Sequence, residues 1–303
     1  MHNPSLHELP DPPSGEVGWP WTKQRDPFPA TQPNGKSWPK ISVVTPSYNQ
    51  GEFIEETIRS VLLQGYPNLE YIVVDGGSTD ETVDILEKYD PWIDDWVSEP
   101  DNGQAHAINK GLRNATGDIH AWLNSDDLYV PGALRDAANA FVATDCDALS
   151  GGRALIDRES NVTGWSVPVS SSPEEGGTPW AQDSTLWRSY VYEEIGYLDE
   201  SYDFAMDYEF FLRMDGEFEI LDTKILIGEF RCYAESKSAM YHDTTGQEES
   251  RRAWETHLDA PVERNQQKRD VGLARHWSFF LANPKRLAIP YLTQKIRRTL
   301  KGR

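Results

Sequence analysis

The sequence predicts an α/β protein with a mostly parallel central sheet flanked by helices. Short runs rich in β-branched residues alternate along the chain with segments whose apolar residues recur at helical spacing. Each of the first four apolar runs also ends in a loop of small polar residues. Alternation at this spacing is typical of βαβ units, and such sheets bind ligands beyond the carboxyl ends of their strands.

The first βαβ unit begins with a β-branched run at 41–45 that is bounded by a proline, which predicts a buried strand. Apolar residues then recur at i, i+4, i+7 and i+8 within 52–63, which predicts a helix. A second buried run at 71–75 ends at two glycines. Ser78 and Glu81 have capping-box spacing, so we expect the next helix to start at Ser78.

The following elements continue the alternation. Residues 96–98 predict a third strand, 104–113 a helix and 119–123 a fourth strand. Pro131 suits the first position of the next helix, because its missing N–H would have no partner there. The sequence therefore predicts four parallel strands whose carboxyl-end loops meet at one crevice.

Composition divides the chain into four regions. Residues 1–39 hold nine of the 20 prolines and three tryptophans, which predicts an extended arm that its tryptophans pin to the body. Residues 40–150 contain the βαβ alternation, and 151–263 form a second half. Residues 264–303 are a basic tail that also carries large apolar residues.

The net charge of −20, from 49 acidic and 29 basic residues, makes nucleic acid an unexpected partner. Phosphate-backbone affinity comes from Lys and Arg, which release counterions. Two cysteines cannot build a disulfide scaffold, which suits a reducing cytoplasm. Without an apolar run of about 18 residues or a signal-peptide pattern, we expect a cytoplasmic protein.

The tail differs sharply in charge from the rest of the chain. Residues 264–303 have eleven basic side chains and one acid, a net of +10, which leaves −30 for residues 1–263. Basic residues mixed with apolar ones predict peripheral contact with an anionic membrane, such as the inner face of the cell membrane. The alternative is a C-terminal helix packed on its own domain.

The motifs that the sequence lacks disfavour several classes of enzyme. The chain has no G-x-G-x-x-G after its first strand, no P-loop and no G-x-S-x-G elbow, which disfavours dinucleotide oxidoreductases, P-loop NTPases and serine hydrolases. Paired aspartates at the end of the fourth strand favour a hard cation, Mg²⁺ or Mn²⁺, with oxygen ligands. Such a cation neutralises charge on a departing phosphate, which points to a nucleotide-activated donor.

Four segments resemble family-2 glycosyltransferases of the GT-A fold, and they span residues 41 to about 214. They read ISVVTPSYNQGEFIEETIRSVLLQ, YIVVDGGSTDETVDIL, EPDNGQAHAINKGLRNATGDIHAWLNSDDLYVPGAL and QDSTLWRSYVYEEIGYLDESYDFAMDYEFFLRM. The resemblance implies a metal-dependent, inverting transferase that takes a nucleoside-diphosphate sugar. Residues 40–150 would bind this donor, and 151–263 would bind a glycan or lipid-linked acceptor in surface-glycan assembly.

The resemblance also implies roles for individual residues. Asp126 matches the metal-binding carboxylate, and Asp75 matches the carboxylate that accepts the base N–H. Asn124 stands where an Asp is common, and Ile108 where many members have an Arg. Asn49 matches the donor loop, although an N-cap of the helix at 52–63 is an alternative. The donor-site residues are Thr45, Pro46, Tyr48, Asn49, Glu52, Asp75, Asn102, Gly103, Asn124 and Ser125.

In the acceptor half, Asp207 resembles the catalytic base that takes the acceptor proton. The alternative is a helix-start carboxylate stabilised by the helix dipole. Glu209 is a second candidate base, or a partner that tunes Asp207. The loop residues predicted to face the acceptor are Gln182, Asp183 and Trp180. Trp180 and Trp187 either stack on a sugar ring or belong to the core.

Many relatives complete the metal shell with a His, but Tyr233 stands at the matching position here. Either Asp126 and phosphates hold the metal alone, or His242 reaches in. Arg231 and Lys237 could then bind diphosphate oxygens. A catalytically weak nucleotide-sugar-binding protein of the same fold is the alternative function. A nucleotidyltransferase would want a Gly-rich, basic loop at 45–53, which the sequence lacks.

Overall fold

The computed structural model describes residues 4–167, 180–215 and 217–257, together with Phe279, Asn283, Pro284, Leu287 and Tyr291. These residues contain a nine-stranded mixed sheet flanked by helices. The strands are β1 Ile41–Ser47, β2 Leu69–Asp75, β3 Asp95–Ser98, β4 Ile119–Trp122, β5 Leu128–Tyr129, β6 Ala148–Ile156, β7 Val162–Ser166, β8 Thr185–Arg188 and β9 Ile220–Arg231. The helices are α1 Ile54–Leu62, α2 Thr82–Tyr89, α3 Gln104–Asn114, α4 Ala133–Thr144, α5 Val191–Ile195, α6 Met206–Asp215, α7 Lys237–Tyr241 and α8 Gln247–His257.

The sheet follows the order β3-β2-β1-β4-β8-β6-β9-β5, and β7 pairs with β6. Strands β1 to β4 are mutually parallel, as the sequence predicts. Beyond β4 the pairing changes, because β8 is antiparallel to both β4 and β6. The parallel half therefore holds the first four loops at one edge, and the mixed half continues the same sheet. The division at residue 150 lies inside β6.

Helices cover both faces of the parallel half, and the alternation of side chains along each strand decides which face is which. Val43, Tyr71 and Val73 belong to one buried cluster, which α1 shares through residues such as Ile58. Val44, Ile72 and Val74 belong to a second buried cluster, which includes Ile108 of α3. Strands buried on both faces need continuous apolar runs rather than polar–apolar alternation, which explains the β-branched segments.

Two predicted boundaries are wrong for identifiable reasons. The helix expected from Ser78 begins at Thr82, with Glu81 as N-cap and no side-chain capping bond. Ser78 instead donates its hydroxyl to Asp75 Oδ1 at 2.5 Å, at the end of β2, and so does not cap the helix. The helix expected at Pro131 begins at Ala133. The two-residue strand β5 before it was not predicted, since two residues show no periodicity.

The N-terminal arm lies against the body over the part that the structure describes. Trp21 and Trp38 are buried, and Trp19 Nε1 donates to the Tyr129 carbonyl at 2.9 Å. Arg59 of α1 is fully buried and donates to three arm carbonyls. Its acceptors are Pro10 O at 2.9 Å, Trp21 O at 3.1 Å and Pro20 O at 3.3 Å. A buried guanidinium thus fastens a proline-rich segment that has no helix or long strand of its own.

The basic residues of the tail lie outside the described residues, so the structure gives no account of their contact with a membrane. Phe279 and Leu287 of the tail are buried in the cluster around α1, and Tyr291 packs edge-on against Trp165 at 5.3 Å. These apolar side chains are therefore occupied by the body of the protein. None of the helices in the described ranges combines the length and apolarity that crossing a membrane requires.

Candidate active site

The loops after β1 and β2 are joined by hydrogen bonds through Asn49. Its backbone N donates to Ser78 Oγ at 2.7 Å, and its Oδ1 accepts from Thr79 N at 2.9 Å. Helix α1 has Phe53 as N-cap, with no side-chain capping bond. Asn49 therefore shapes the loop, and the alternative N-cap role is wrong.

Asp75 ends β2 and is fully buried. Its oxygens accept from Ser78 N at 2.8 Å, Gly77 N at 3.2 Å and Ser98 Oγ at 2.6 Å, besides the Ser78 hydroxyl. These bonds draw the ends of β2 and β3 together around one carboxylate. The carboxylate of Asp75 is thus already engaged by four protein donors.

The other predicted residues of the first loop differ in exposure. Thr45 is buried and its Oγ1 lies 3.1 Å from the Tyr71 hydroxyl, and Pro46 pairs with Val74 at the end of β1. Tyr48 is 61% exposed, which leaves its ring available to a ligand. Glu52 instead forms a bidentate pair with Arg158, with Oε1 2.7 Å from Nε and Oε2 2.5 Å from an Nη.

The third loop leads directly into α3. Asn102 and Gly103 are exposed, and Gly103 has a φ of 109°, which favours glycine. Asp101 Oδ1 accepts from Gly103 N at 2.8 Å, so a local turn fixes the entry to the helix. Gln104, the first residue of α3, then presents its amide toward the fourth loop.

Asn124 connects both halves of the crevice. Its Oδ1 accepts from Gln104 Nε2 at 2.9 Å, and its Nδ2 donates to Gln182 Oε1 at 3.0 Å. Gln182 in turn donates to the Trp122 carbonyl at 2.6 Å and is buried. An amide can donate and accept at once, which an aspartate in this position could not do. Asn124 thus serves as a hydrogen-bonding link here.

Two adjacent carboxylates follow in the same loop, beside the buried Ser125. Tyr233 donates its hydroxyl to Asp126 Oδ2 at 2.9 Å, and Arg231 N donates to Asp127 Oδ1 at 2.9 Å. Burial raises the pKa of Asp126. Burial, followed by repulsion from Asp126 and Asp183, raises the pKa of Asp127 well above its ordinary value.

The oxygen atoms at this loop suit a hard cation that is held by one protein carboxylate. Asp126 offers carboxylate oxygen, the ligand type that Mg²⁺ and Mn²⁺ prefer, and a cation would offset the electrostatic cost of its burial. Within the described ranges, no group of three or more His, Cys, Asp or Glu residues could hold a metal ion. Asp126 thus fits as one oxygen ligand of such a cation.

His242 contacts Asp243 rather than the carboxylates of Asp126 and Asp127. Its side chain is 71% exposed and its Nδ1 lies 3.0 Å from Asp243 Oδ1. The position beside Asp126 is taken by Tyr233, whose ring also packs on Phe53 at a centroid distance of 5.1 Å. In this structure the phenol, not the imidazole, contacts the candidate metal ligand.

Asp207 lies in the first turn of α6 and is partly buried. Its Oδ1 accepts from Tyr208 N at 2.8 Å. Desolvation raises its pKa, while the positive charges of Arg153 and Lys237 act in the opposite direction. A carboxyl with a raised pKa is a stronger base than an ordinary aspartate, which suits proton abstraction.

Glu209 does not share this environment. It is buried in a bidentate pair with Arg213, with both contacts at 2.8 Å, and His257 Nε2 lies 2.9 Å from its Oε1. Its two oxygens are thus occupied by cationic or imidazole partners, and no contact joins it to Asp207 among the described residues. The geometry favours Asp207 over Glu209 as the base.

The predicted acceptor loop is mostly inside the protein. Asp183 is buried, and its Oδ1 lies 2.8 Å from an Nη of Arg153. Gly228 packs on this carboxylate so closely that a Cβ there would come within 2.1 Å of Asp183 Oδ2. Asp183 therefore positions Arg153, whose side chain stays 25% exposed.

The two tryptophans near this loop are buried among core residues, so the acceptor contact of Trp180 stays a prediction. Trp180 is 6% exposed and its Nε1 donates to Asp222 Oδ1 at 2.9 Å. Trp187 is fully buried, where it packs on Trp122 at 5.3 Å and donates to the Tyr192 hydroxyl at 2.7 Å. Burial of these large aromatic rings removes much apolar area from water, and each indole N–H keeps a hydrogen-bond partner inside the protein. Burial is therefore more favourable than exposure in a loop.

Arg231 is fully buried, which removes it from the residues that could bind phosphate. Its Nε donates to the Asp126 carbonyl at 2.8 Å, and an Nη donates to Glu56 at 2.7 Å. The other Nη donates to Arg158 O at 2.8 Å and Ser160 Oγ at 2.9 Å. Sequence reasoning missed this role and those of Arg153 and Gln104, because their partners lie far away along the chain.

A family model described as glycosyl transferase family 2 matches residues 42–214, more than half of the chain. A putative teichuronic acid biosynthesis glycosyltransferase of Bacillus subtilis is 38% identical over 125 residues, which cover 40% of this chain and 49% of that protein. The matched part thus spans about half the length of that relative. An uncharacterized glycosyltransferase of Mycobacterium tuberculosis is 31% identical over 205 residues, 64% of this chain and 76% of that protein.

Two solved structures align with most of this chain. TarS of S. aureus, residues 1–349 in complex with UDP-GlcNAc, aligns with a TM-score of 0.59 at 22% identity, covering 81% of this chain and 74% of that one. A mannosyltransferase of Pyrobaculum calidifontis in complex with GDP-Man and Mn²⁺ aligns with a TM-score of 0.54 at 20% identity, covering 86% and 75%. These likenesses confirm the predicted GT-A type of fold.

Proposed function

This chain belongs to glycosyl transferase family 2, and from that membership we propose that it moves a sugar from a nucleoside-diphosphate sugar to an acceptor hydroxyl with inversion. The observation that carries the proposal is the position of the loop 124–127. It ends a central parallel strand and hydrogen-bonds to α3 on one side and to the turn at Gln182 on the other. Donor and acceptor halves therefore meet at this loop.

The proposed reaction is a direct displacement. The acceptor oxygen attacks the anomeric carbon and the bond from that carbon to the diphosphate oxygen breaks, so the configuration inverts. Asp207 takes the proton of the attacking hydroxyl, since burial raises its pKa, its side chain is partly exposed, and the charges of Arg153 and Lys237 act on it. The raised pKa makes the carboxylate a better proton acceptor once it is ionised.

We propose that Asp126, steadied by the Tyr233 hydroxyl, would hold Mg²⁺ or Mn²⁺ together with the donor. When bound, the cation would neutralise charge that builds on the departing diphosphate. The exposed Tyr48 and Asn102–Gly103 would contact the donor nucleotide beside Asp75. Asn124 and Ser125 would keep the loop in register with both halves.

The acceptor is proposed to be a glycan or a lipid-linked sugar in surface-glycan synthesis. The name of the Bacillus relative, which is 38% identical over 125 residues, supports this class. Membrane contact through residues 264–303 stays a prediction of the basic charge alone. The described apolar residues of the tail offer it no support, because Phe279 and Leu287 are buried in the protein.

The decisive variant is Asp207→Asn, which keeps the shape of the side chain and removes its basicity. We expect transfer to fall at least about a hundredfold, the contribution typical of a positioned base. Binding of the donor should stay within about twofold, because Asp207 lies in the acceptor half. The rate is measured as nucleoside-diphosphate release from a panel of sugar nucleotides with Mn²⁺, and binding by calorimetry.

Asp84→Asn is the matched control, since Asp84 is exposed on α2. Full activity of the Asp207 variant would reject the assignment of the base. A second candidate function is nucleotide-sugar binding without transfer, which the occupation of Asp126 by Tyr233 favours. Donor binding with no turnover over a broad screen of acceptors would support that function instead.

A further inference from the structure

The structure separates the two cations that the sequence places near the donor phosphates. All of the donor groups of Arg231 face protein oxygens, and the residue is 1% exposed. Lys237 is different, because it is exposed and its Nζ donates to a neutral acceptor, Gln104 Oε1, at 3.0 Å. A phosphate could reach this ammonium without breaking an ion pair.

Other cations around the crevice are already paired. Arg158 lies within 3.0 Å of Glu52 and Glu235, Arg153 binds Asp183 at 2.8 Å, and Lys110 pairs with Glu99. Within the described part of the chain, no carboxylate lies within 4.0 Å of Lys237 Nζ in a salt bridge. Its charge is thus the one among these cations that has no direct ionic partner.

Hydrogen bonds place this ammonium beside the proposed reaction. Gln104 joins Lys237 to Asn124, so Lys237 is one side chain away from the loop that carries Asp126. Asp207 is among the carboxylates whose charge acts on Lys237. The ammonium is therefore linked through Gln104 to the loop of the candidate metal ligand, and it is close enough to the candidate base for the two charges to interact.

The backbone at Lys237 is held in place. Ser236 is buried and caps α7, with its Oγ accepting from Ala239 N at 3.2 Å. The turn before it is anchored by Tyr233 on Asp126. Only the flexible side chain of Lys237 would need to move, and Gln104 Oε1 could be exchanged for a phosphate oxygen at low cost.

We propose that Lys237 binds the diphosphate of the donor and stabilises it as the leaving group. This inference rests on the proposed function and names a further residue for it. Desolvation lowers the pKa of Lys237 and the nearby carboxylates Asp203, Glu249 and Asp207 act against that change. A bound diphosphate adds negative charge, which favours the protonated lysine further.

The test measures binding of inorganic pyrophosphate and of UDP, GDP, CDP and dTDP to the full chain by calorimetry, with and without Mn²⁺. Pyrophosphate reports on the phosphate contacts whatever the base. Lys237→Met should weaken pyrophosphate, and the diphosphate that binds best, about tenfold or more, since a charge-assisted hydrogen bond is lost. Lys237→Arg keeps the charge, so its affinity for these diphosphates should stay within about threefold of that of the unaltered protein.

Two control variants distinguish direct contact of Lys237 with the phosphate from an indirect effect on the site. Gln104→Ala removes the partner of the lysine but not its charge, so its loss should be smaller than that of Lys237→Met. Lys224→Met removes an exposed lysine on β9 and should change nothing. Unchanged binding in Lys237→Met, or equal losses in Gln104→Ala and Lys237→Met, would overturn the inference. If the unaltered protein binds none of these diphosphates, the proposed function fails instead.

Discussion

At the scale of the residue, the site depends on carboxylates whose burial has different consequences. Asp126 has a phenol as partner, whereas Asp207 faces the positive charges of Arg153 and Lys237. Burial raises the pKa of both groups. The two carboxylates differ in their neighbours, because a hydroxyl contacts Asp126 while two cations act on the partly exposed Asp207.

The pH dependence of transfer follows from Asp207. A base must be ionised to accept a proton, so activity is present above its pKa and is lost as the pH falls through it. Because desolvation raises this pKa, the loss should begin at a higher pH than for an ordinary aspartate of about 3.9. The measurement is the rate of nucleoside-diphosphate release from pH 4 to 8, with circular dichroism to show that the protein stays folded. A flat profile down to pH 4 would contradict the assignment.

At the scale of the element, α1 and the β9 end hold the loop 124–127 from beneath. Thr57 Oγ1 donates to Ser125 O at 2.9 Å or Asp127 O at 2.8 Å, and the buried Glu56–Arg231 pair at 2.7 Å spans α1 and β9. Arg231 also binds the Asp126 carbonyl. The loop 124–127 is therefore held through its backbone by the side chains of Thr57 and Arg231.

Arg231→Met should destabilise the protein by about 3 kcal/mol or more, because it leaves the Glu56 carboxylate buried without its partner. The free energy of unfolding is measured by guanidinium denaturation. Arg251→Met is the control, since Arg251 pairs with Glu255 on the surface of α8 at 2.7 Å and such pairs contribute less than about 1 kcal/mol. Adding Glu56→Leu to Arg231→Met should restore part of the loss. A loss of unfolding free energy smaller than that of Arg251→Met would show that Arg231 does not stabilise the protein.

At the scale of the whole molecule, segments from both ends of the chain complete the core of one sheet. The arm reaches Arg59 through its carbonyls, and Phe279 of the tail packs on Gly152 of β6. A Cβ at Gly152 would come within 2.2 Å of the Phe279 ring, so this contact depends on glycine. The acidic body and basic tail are thus joined by apolar contacts at the described residues.

Phe279→Ala tests this docking. Removal of a ring that is 1% exposed should cost about 3–5 kcal/mol of unfolding free energy, the range for large-to-small changes in cores. Thermal and chemical denaturation both report it. Val142→Ala, at a residue 47% exposed on α4, should cost far less. Equal stability of the Phe279 variant and the unaltered protein would mean that the tail does not contribute to the core in solution.

Prediction from sequence succeeded where the signal is local. The first four strands and the helices between them are present within a few residues, because burial on both faces requires β-branched runs. It failed where a polar side chain takes another partner than its spacing suggests, since Ser78 binds Asp75 instead of capping α2. The mixed half of the sheet was also beyond it, since β6, β8 and β9 pair out of chain order.

The sequence by itself determined the family, the parallel half of the sheet and the polar loops at its carboxyl edge, because strand periodicity and loop composition are properties of neighbouring residues. Only the tertiary structure decided that Asn124 links two halves, that Tyr233 contacts Asp126 and that Arg231 is a buried support while Lys237 is open. Most of those facts depend on contacts between residues far apart along the chain, such as Asn124 with Gln182, Tyr233 with Asp126 and Arg231 with Glu56. The free energy of such a bond depends on burial and geometry, which no local pattern encodes.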